Sequence, residues 1–131
     1  MFNTVLFPIN QSREASEAAL VVIDIVKKYN SRLTLLSVLD PEANTSPMSS
    51  ESAIVQLLSQ AAEMFAEKGI QANTLEREGK PAFIICDVAD EINADLIIMG
   101  SRGMDLTHEG ATESVTTRVV NLSPCPVLIV P

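Results

Sequence analysis

The chain has 131 residues, of which 47% are hydrophobic and 20% are charged. This length predicts one domain with a buried core, and the composition excludes a disordered chain. Nine basic and 17 acidic residues leave a formal net charge of −8. Such a charge repels phosphate backbones and anionic lipids, so we expect neither nucleic acid nor a membrane surface as a partner. No apolar run reaches the ~18 residues that a membrane-spanning helix needs.

The first residues, MFNTVLFPIN, lack the basic segment and long apolar stretch of a secretory signal. The two cysteines, Cys86 and Cys125, are too few for a disulfide framework. We interpret both as packing residues of a reduced protein, and we expect a cytoplasmic location.

Apolar periodicity predicts strands that alternate with helices along the chain. The predicted strands are Thr4–Pro8, Arg32–Leu39, Ile70–Glu78, Leu96–Met99 and Val127–Val130. The predicted helices begin near Ser12, Ser50, Pro81 and Glu113, and each precedes the next strand. This alternation is typical of an α/β fold, an open five-stranded parallel sheet with helices on both faces.

Two of these elements carry further expectations. The strand at residues 70–78 alternates only weakly and ends in acidic residues, which indicates a strand at the edge of the sheet. In the third helix, Ile84, Val88 and Ile92 recur at helical spacing, so we expect these three side chains to face the sheet.

The ligand site of such a sheet lies at the carboxyl ends of the strands, where the strand order reverses. Gly100 and Gly103 stand there, directly after a buried strand. Glycines at this place let backbone N–H groups approach a phosphate, and the following helix adds its positive end. The alternative is a plain turn, and the spacing of two glycines does not decide between them.

Other polar side chains near the predicted strand ends give weaker signals. Arg13, Arg102 and Lys80 either face an anion or are solvated surface cations, and we favour the second interpretation. His108 is the only histidine and has no partner suited to catalysis or metal binding, so we expect it at the surface. We predict no metal site.

Several segments together resemble one known family. They are residues 5–8 (VLFP) with Ser12, residues 78–82 (EGKPA), residues 94–103 (ADLIIMGSRG), residues 114–116 (SVT) and residues 125–130 (CPVLIV). Across nearly the whole chain they resemble the universal stress proteins of the small, single-domain type. The resemblance implies a Rossmann-like sheet, as in adenine nucleotide alpha hydrolases, with strand order 3-2-1-4-5. It also implies antiparallel pairing of the last strands in a dimer and, in one branch of the family, an ATP site.

The chain departs from the ATP-binding branch at two positions. That branch has a glycine, two residues, a second glycine, nine residues, then a glycine followed by serine or threonine. Gly100 and Gly103 fit, but Glu113 stands at the third glycine, before the expected Ser114. Asn10 replaces the aspartate that the branch carries two residues after the proline. We therefore expect weak or absent Mg-ATP binding and favour AMP or ADP.

The nucleotide that the resemblance implies has its adenine near the backbone of Val38 and its phosphate at the loop from Gly100 to Gly103. The candidate nucleotide-binding residues are Pro8, Ile9, Asn10, Val38, Met99, Gly100, Arg102, Gly103, Ser114 and Val115.

The last strand predicts a partner of its own. Val127, Leu128, Ile129 and Val130 form an apolar strand, which aggregates if it is left exposed at a sheet edge. Pairing with a second copy around a two-fold axis covers it. The alternative is cover by a helix of the same chain. The pattern and the resemblance together favour a homodimer.

Two functions are favoured. The first is a dimeric cytosolic regulatory protein of the universal stress type that binds an adenine nucleotide and acts on an unidentified protein partner. The second is an interaction module on the same fold without a nucleotide. No activated nucleophile, carboxylate pair or histidine dyad is visible, so we predict that the protein is not an enzyme, with a slow ATPase left open. A phosphoacceptor domain is disfavoured because residues 8–11 (PINQ) lack its acidic side chains.

Overall fold

The computed structural model describes residues 1–9, 14–41, 51–100 and 115–131. Strands and helices alternate along these residues. The strands are β1 (Thr4–Pro8), β2 (Arg32–Leu39), β3 (Ala72–Glu78), β4 (Leu96–Gly100) and β5 (Val127–Val130). The helices are α1 (Glu14–Tyr29), α2 (Glu51–Glu67), α3 (Pro81–Glu91) and α4 (Val115–Leu122).

All neighbouring strands are parallel, and their order is β3-β2-β1-β4-β5. The predicted fold class and strand order are therefore confirmed. The prediction that the third strand lies at an edge is also confirmed. Strand β1 lies at the centre, between β2 and β4, which explains why its side chains are apolar on both faces.

The core has two layers, one on each face of the sheet. On the first face, buried residues of α1 and α2, including Val22 and Phe65, pack with Val5 and Phe7 of β1. On the second face, buried residues of α3 and α4 pack with Leu6 and other strand residues. Helices therefore cover both faces, as predicted, with α1 and α2 on the first face and α3 and α4 on the second.

The start of β3 differs from the prediction by two residues. Gly69 has a φ of 82°, which ends α2 in the left-handed conformation, and its N–H donates to the Ala66 carbonyl at 2.9 Å. The Ile70 N–H donates to the Phe65 carbonyl at 2.9 Å, so Ile70 closes the Schellman motif of the helix. The strand consequently begins at Ala72, after the helix end is complete.

Other boundaries follow the sequence closely. Strand β4 continues one residue past the prediction, because Gly100 still pairs with Val130. The predicted helix starts at Ser12, Ser50 and Glu113 lie outside the described residues.

The buried face of α3 is only partly the one predicted. Val88 is buried, but Ile84 and Ile92 are only partly buried. The side chains that are most fully buried are those of Ile85 and Ala89. The helix packs against both the sheet and α4, and this two-sided packing rotates its buried stripe away from the periodicity of the large aliphatic residues.

Candidate functional site

The strand order reverses between β1 and β4. After β1 the chain enters α1 on the first face of the sheet, and after β4 it continues to α4 on the second face. The helices that follow these two neighbouring strands therefore lie on opposite faces of the sheet. In open parallel sheets this divergence creates a crevice at the carboxyl ends of the strands, where ligands bind.

Pro8 separates the carboxyl ends of β1 and β4. The next residue, Ile9, donates its N–H to the Leu36 carbonyl of β2 at 2.8 Å. Because backbone groups alternate in direction along a strand, the backbone of Pro8 is turned toward β4 instead. Proline has no N–H to donate, and the β1–β4 pairing ends at Leu6 and Ile97. Pairing with β2 continues to Pro8. The sheet therefore loses its hydrogen bonds where the strand order reverses.

On the other side of the crevice, β4 is tied to the start of α4. The hydroxyl of Thr116 donates to the Gly100 carbonyl at 3.2 Å, and the Thr116 side chain is buried. Gly100 also pairs with Val130 of β5. These contacts hold the amino-terminal turn of α4 against the carboxyl end of β4. Thr116 was not among the predicted site residues, although its place in the first turn of the predicted helix was a usable signal.

The third strand end at this edge belongs to β2. The side chain of Val38 is partly buried and packs against the core of the second face. The next residue, Leu39, accepts a hydrogen bond at its carbonyl from the Gly79 N–H at 2.9 Å. The carboxyl end of β2 is thus linked to the turn that leads into α3.

The structure brings several predicted site residues to this edge. Pro8, Ile9, Met99 and Gly100 lie at the ends of the adjacent strands β1 and β4, and Val115 begins α4. The side chains of Ile9 and Met99 are only 4% and 2% exposed. A ligand at this edge would therefore meet the backbone of these two residues rather than their side chains. Val38 lies one strand further along.

Four predicted nucleotide-binding residues, Asn10, Arg102, Gly103 and Ser114, lie outside the described residues. Arg13, His108 and Glu113 lie outside them as well. Lys80 is described, and it occupies the N-cap position of α3 in an extended conformation.

The two cysteine thiols lie in the core of the second face and not at the crevice. Cys86 is buried in α3, and Cys125 packs against the same cluster before β5. Burial raises the pKa of the Cys86 thiol, and the negative charge of Asp87 adds to this effect. Burial also raises the pKa of the Cys125 thiol, against a hydrogen bond from Ser123 that lowers it. Both thiols are therefore poor nucleophiles, consistent with a packing role.

No group of three or more histidine, cysteine, aspartate or glutamate side chains that could hold a metal ion occurs in the described part of the chain. Among the same residues, no helix is long and apolar enough to cross a membrane.

The edge strand β5 is covered on both faces only in part. Val127 and Ile129 pack toward the second face and Val130 toward the first, whereas Leu128 is 36% exposed.

A parallel sheet with helices on both faces and a switch point between β1 and β4 defines the class of open, doubly wound α/β proteins. A family model described as the universal stress protein family matches residues 1–131. The universal stress protein Sll1654 of Synechocystis is 55% identical over 138 residues, covering 100% of this chain and 87% of that protein. The chain belongs to the universal stress protein family.

Solved structures agree with this assignment. The universal stress protein UspA from Lactobacillus plantarum has a TM-score of 0.81 and 26% identity, and the match covers 99% of this chain and 98% of that one. A universal stress protein solved in complex with cAMP also has a TM-score of 0.81, with 22% identity and coverage of 99% and 97%. The second likeness shows a common fold.

Proposed function

We propose that this universal stress protein is a small regulatory protein that binds an adenine nucleotide at the crevice between β1 and β4. The observation that carries the proposal is the loss of β1–β4 pairing at Pro8, directly at the switch point of the sheet. The complex of a universal stress protein of the same fold with cAMP supports an adenine nucleotide with a single phosphate group.

In the proposed complex the adenine lies near the backbone of Val38, at the end of β2. The phosphate lies at the loop that follows β4, from Gly100 to Gly103, near Ser114 and the start of α4. The bond between Thr116 and Gly100 supports this arrangement, because it holds the amino-terminal end of α4 beside the end of β4. The amino-terminal end of a helix carries a partial positive charge, which favours an anion.

We propose AMP or ADP as the ligand rather than Mg-ATP. Glu113 brings a carboxylate to the position where the ATP-binding branch has a glycine. A carboxylate about 4 Å from one phosphate charge costs roughly 4 kcal/mol at an effective dielectric of 20, which is an upper figure. Each further phosphate adds to this repulsion. Asn10 also lacks the negative charge with which an aspartate would help to hold a metal ion.

In this regulatory role the bound nucleotide changes the conformation of the protein or its affinity for a partner, and the nucleotide is not turned over. The proposal includes a homodimer through Val127, Leu128, Ile129 and Val130 and a cytoplasmic location. The partial exposure of Leu128 at the edge of the sheet supports the dimer. Light scattering on the wild type and on Leu128→Asp tests it, with Val120→Asp on the exposed side of α4 as the matched control. A monomeric wild type contradicts the dimer.

The first test of the nucleotide proposal is gentle purification, heat extraction and mass spectrometry of the released small molecules. Titration calorimetry with AMP, ADP and ATP, with and without magnesium, then ranks the ligands. Bound AMP or ADP, with weaker Mg-ATP binding, supports the proposal. Sub-micromolar Mg-ATP binding contradicts the argument from Glu113. An empty extract and no heat with any adenine nucleotide favours the nucleotide-free interaction module, and release of phosphate from ATP favours the slow ATPase.

The variant Glu113→Gly isolates the effect of this carboxylate. We expect it to raise ATP affinity at fixed magnesium, while Glu109→Gly, which removes the same charge from the same segment between Gly100 and Val115, leaves it nearly unchanged. Equal effects of the two variants would show that general loop charge, and not position 113, weakens ATP binding.

A further inference from the structure

The edge strand β3 lies at the opposite end of the sheet from β5 and has an open groove beside it. The strand pairs with β2 over all seven residues. It contains no proline, and its first four residues, Ala72 to Leu75, carry no charge. Edge strands are usually protected by proline, bulges, short length or charge. The first half of β3 therefore lacks the proline and the charge that protect many edge strands.

The backbone of β3 presents hydrogen-bonding groups to this free side. The Gly79 N–H donates to Leu39 of β2, so the odd-numbered residues of β3 direct their N–H and C=O groups toward β2. The even-numbered residues Ala72, Thr74 and Glu76 direct theirs away from the sheet. The Glu76 carbonyl accepts a hydrogen bond from the Arg77 guanidinium at 3.2 Å. Among the described residues, no hydrogen bond to the outward groups of Ala72 or Thr74 is found. They offer the pattern that an added strand requires.

The groove follows β3 along the flank of α2 and has a volume of about 610 Å³. Apolar groups line much of it, including Leu58, Ala62 and Ala66 of α2 and Ile70 before β3. Val55, at the same flank, is 50% exposed. An added strand would place alternate side chains against these apolar groups.

The charge of the groove restricts its occupant. Its charged lining residues are Glu63 on α2 and Glu76 on β3, and no lysine or arginine contributes to its lining. Glu78 continues the acidic end of the strand. Arg77 points to the other face, where its guanidinium contacts the Glu91 carboxylate at 2.9 Å. A segment with lysine or arginine beside Glu63 and Glu76 complements this groove.

A second copy of the chain is a poor occupant. Each copy carries a formal charge of −8, so pairing through an acidic edge adds repulsion. The only adjacent basic residues in the sequence are Lys27 and Lys28, and both belong to the last turn of α1. The chain therefore offers no extended basic segment of its own.

We propose that β3 accepts an added strand from a protein partner, an extended segment in which the side chains of one face, at every second residue, include both valine or isoleucine and lysine or arginine. The backbone of the segment pairs with Ala72 and Thr74, and this one face of the segment lies on the groove beside α2. Its apolar side chains enter the groove, and its cations contact Glu63 and Glu76. This docking site is separate from the proposed nucleotide crevice and does not depend on it.

The test uses the full chain and two capped eight-residue peptides. In the first peptide every second residue is in turn valine and lysine, with threonine between them, and in the second peptide glutamate replaces lysine. Binding is followed by amide chemical shifts in the ¹⁵N-labelled protein. We expect the lysine peptide to shift the amides of Ala72–Glu78 and of the α2 flank, and the glutamate peptide to shift none of them. Shifts elsewhere, equal binding of both peptides, or no binding at millimolar concentration would overturn the proposal.

Variants separate backbone pairing from charge. Thr74→Pro removes an outward N–H that β2 does not use, so we expect about tenfold weaker peptide binding with β2–β3 pairing retained. If this variant fails to fold, Glu63→Gln and Glu76→Gln carry the test. We expect each of them to weaken peptide binding about two- to fivefold at low salt. Asp24→Asn, an exposed change on α1, is the matched control. An equal loss with this control, or unchanged binding to the other variants, would contradict the site. AMP titration of the same variants reports on the nucleotide site independently.

Discussion

Asp95 anchors the start of β1, and its removal gives a prediction that the structure allows us to size. One carboxylate oxygen accepts the Asn3 N–H at 2.9 Å and the other accepts the Thr4 N–H at 3.0 Å. The Asp95 N–H also donates to the Thr4 carbonyl at 2.9 Å. Asp95, which directly precedes β4, therefore holds the amino-terminal end of the central strand β1 by both its side chain and its backbone.

Asp95→Asn keeps the shape of the side chain but replaces one accepting oxygen with an NH₂ group, which then faces a backbone N–H. Loss of a partner at a buried group costs about 1–3 kcal/mol, and we take the lower part of this range because the Asn3 bond is exposed. A loss of about 1–2 kcal/mol lowers the Tm of a chain of this length by about 4–7 °C. Nucleotide affinity should not change, because Asp95 lies at the amino end of β4 and the proposed site lies at the carboxyl end.

Thermal unfolding followed by circular dichroism measures the change, with Asp90→Asn on the exposed side of α3 as the control. A Tm within about 1 °C of this control would refute the role assigned to the two hydrogen bonds. A loss of AMP binding without a loss of stability would refute the separation of Asp95 from the site.

Three further predictions concern packing, backbone conformation and the buried thiol. Phe65 is fully buried and makes an edge-to-face contact with the ring of Phe7, with the ring centroids 6.2 Å apart. Phe65→Ala should therefore lower the free energy of unfolding in urea by about 3–5 kcal/mol. A loss below 1 kcal/mol would contradict this packing. Gly69→Ala should destabilise the protein by about 1 kcal/mol, and Gly79→Ala should destabilise it more. Both glycines have positive φ, but only at Gly79 does an added Cβ lie 2.9 Å from the Ile84 side chain. The reverse order of Tm values would refute this. Burial raises the pKa of the Cys86 thiol, so its thiolate fraction at pH 8 is low and iodoacetamide should modify it more slowly in the folded than in the urea-unfolded chain, as measured by mass spectrometry; equal rates would contradict its burial.

The architecture could be predicted from local patterns. Strands and helices alternate with clear changes of periodicity, and their order, with the boundaries that fall within the described residues, agrees with the structure to within about two residues. Gly69 also marked the end of α2 correctly, because its left-handed conformation is a local property. The beginning of β3 was predicted too early, since the apolar character of Ile70 does not reveal that its N–H closes the preceding helix.

The candidate site could be predicted only in outline. The strand ends at Pro8, Val38 and Gly100 followed from the topology that the sequence indicates. The roles of individual groups could not be predicted in this way, because they depend on which strands become neighbours. Ile9 and Met99 have buried side chains, so their contribution to a site is limited to the backbone. Thr116 acquires its role only because α4 begins beside the end of β4.

The sequence by itself determined the family, the alternation of strands and helices and the apolar character of the central strand, because these depend on residue types at short spacing. Only the tertiary structure decided that the backbone of Pro8 is turned toward β4 and ends their pairing at the switch point. It also decided that Asp95, within the segment 94–103 that resembles the family, holds the opposite end of the sheet. The direction of a backbone group along a strand is set by the neighbours that the strand acquires, and these neighbours are distant in sequence.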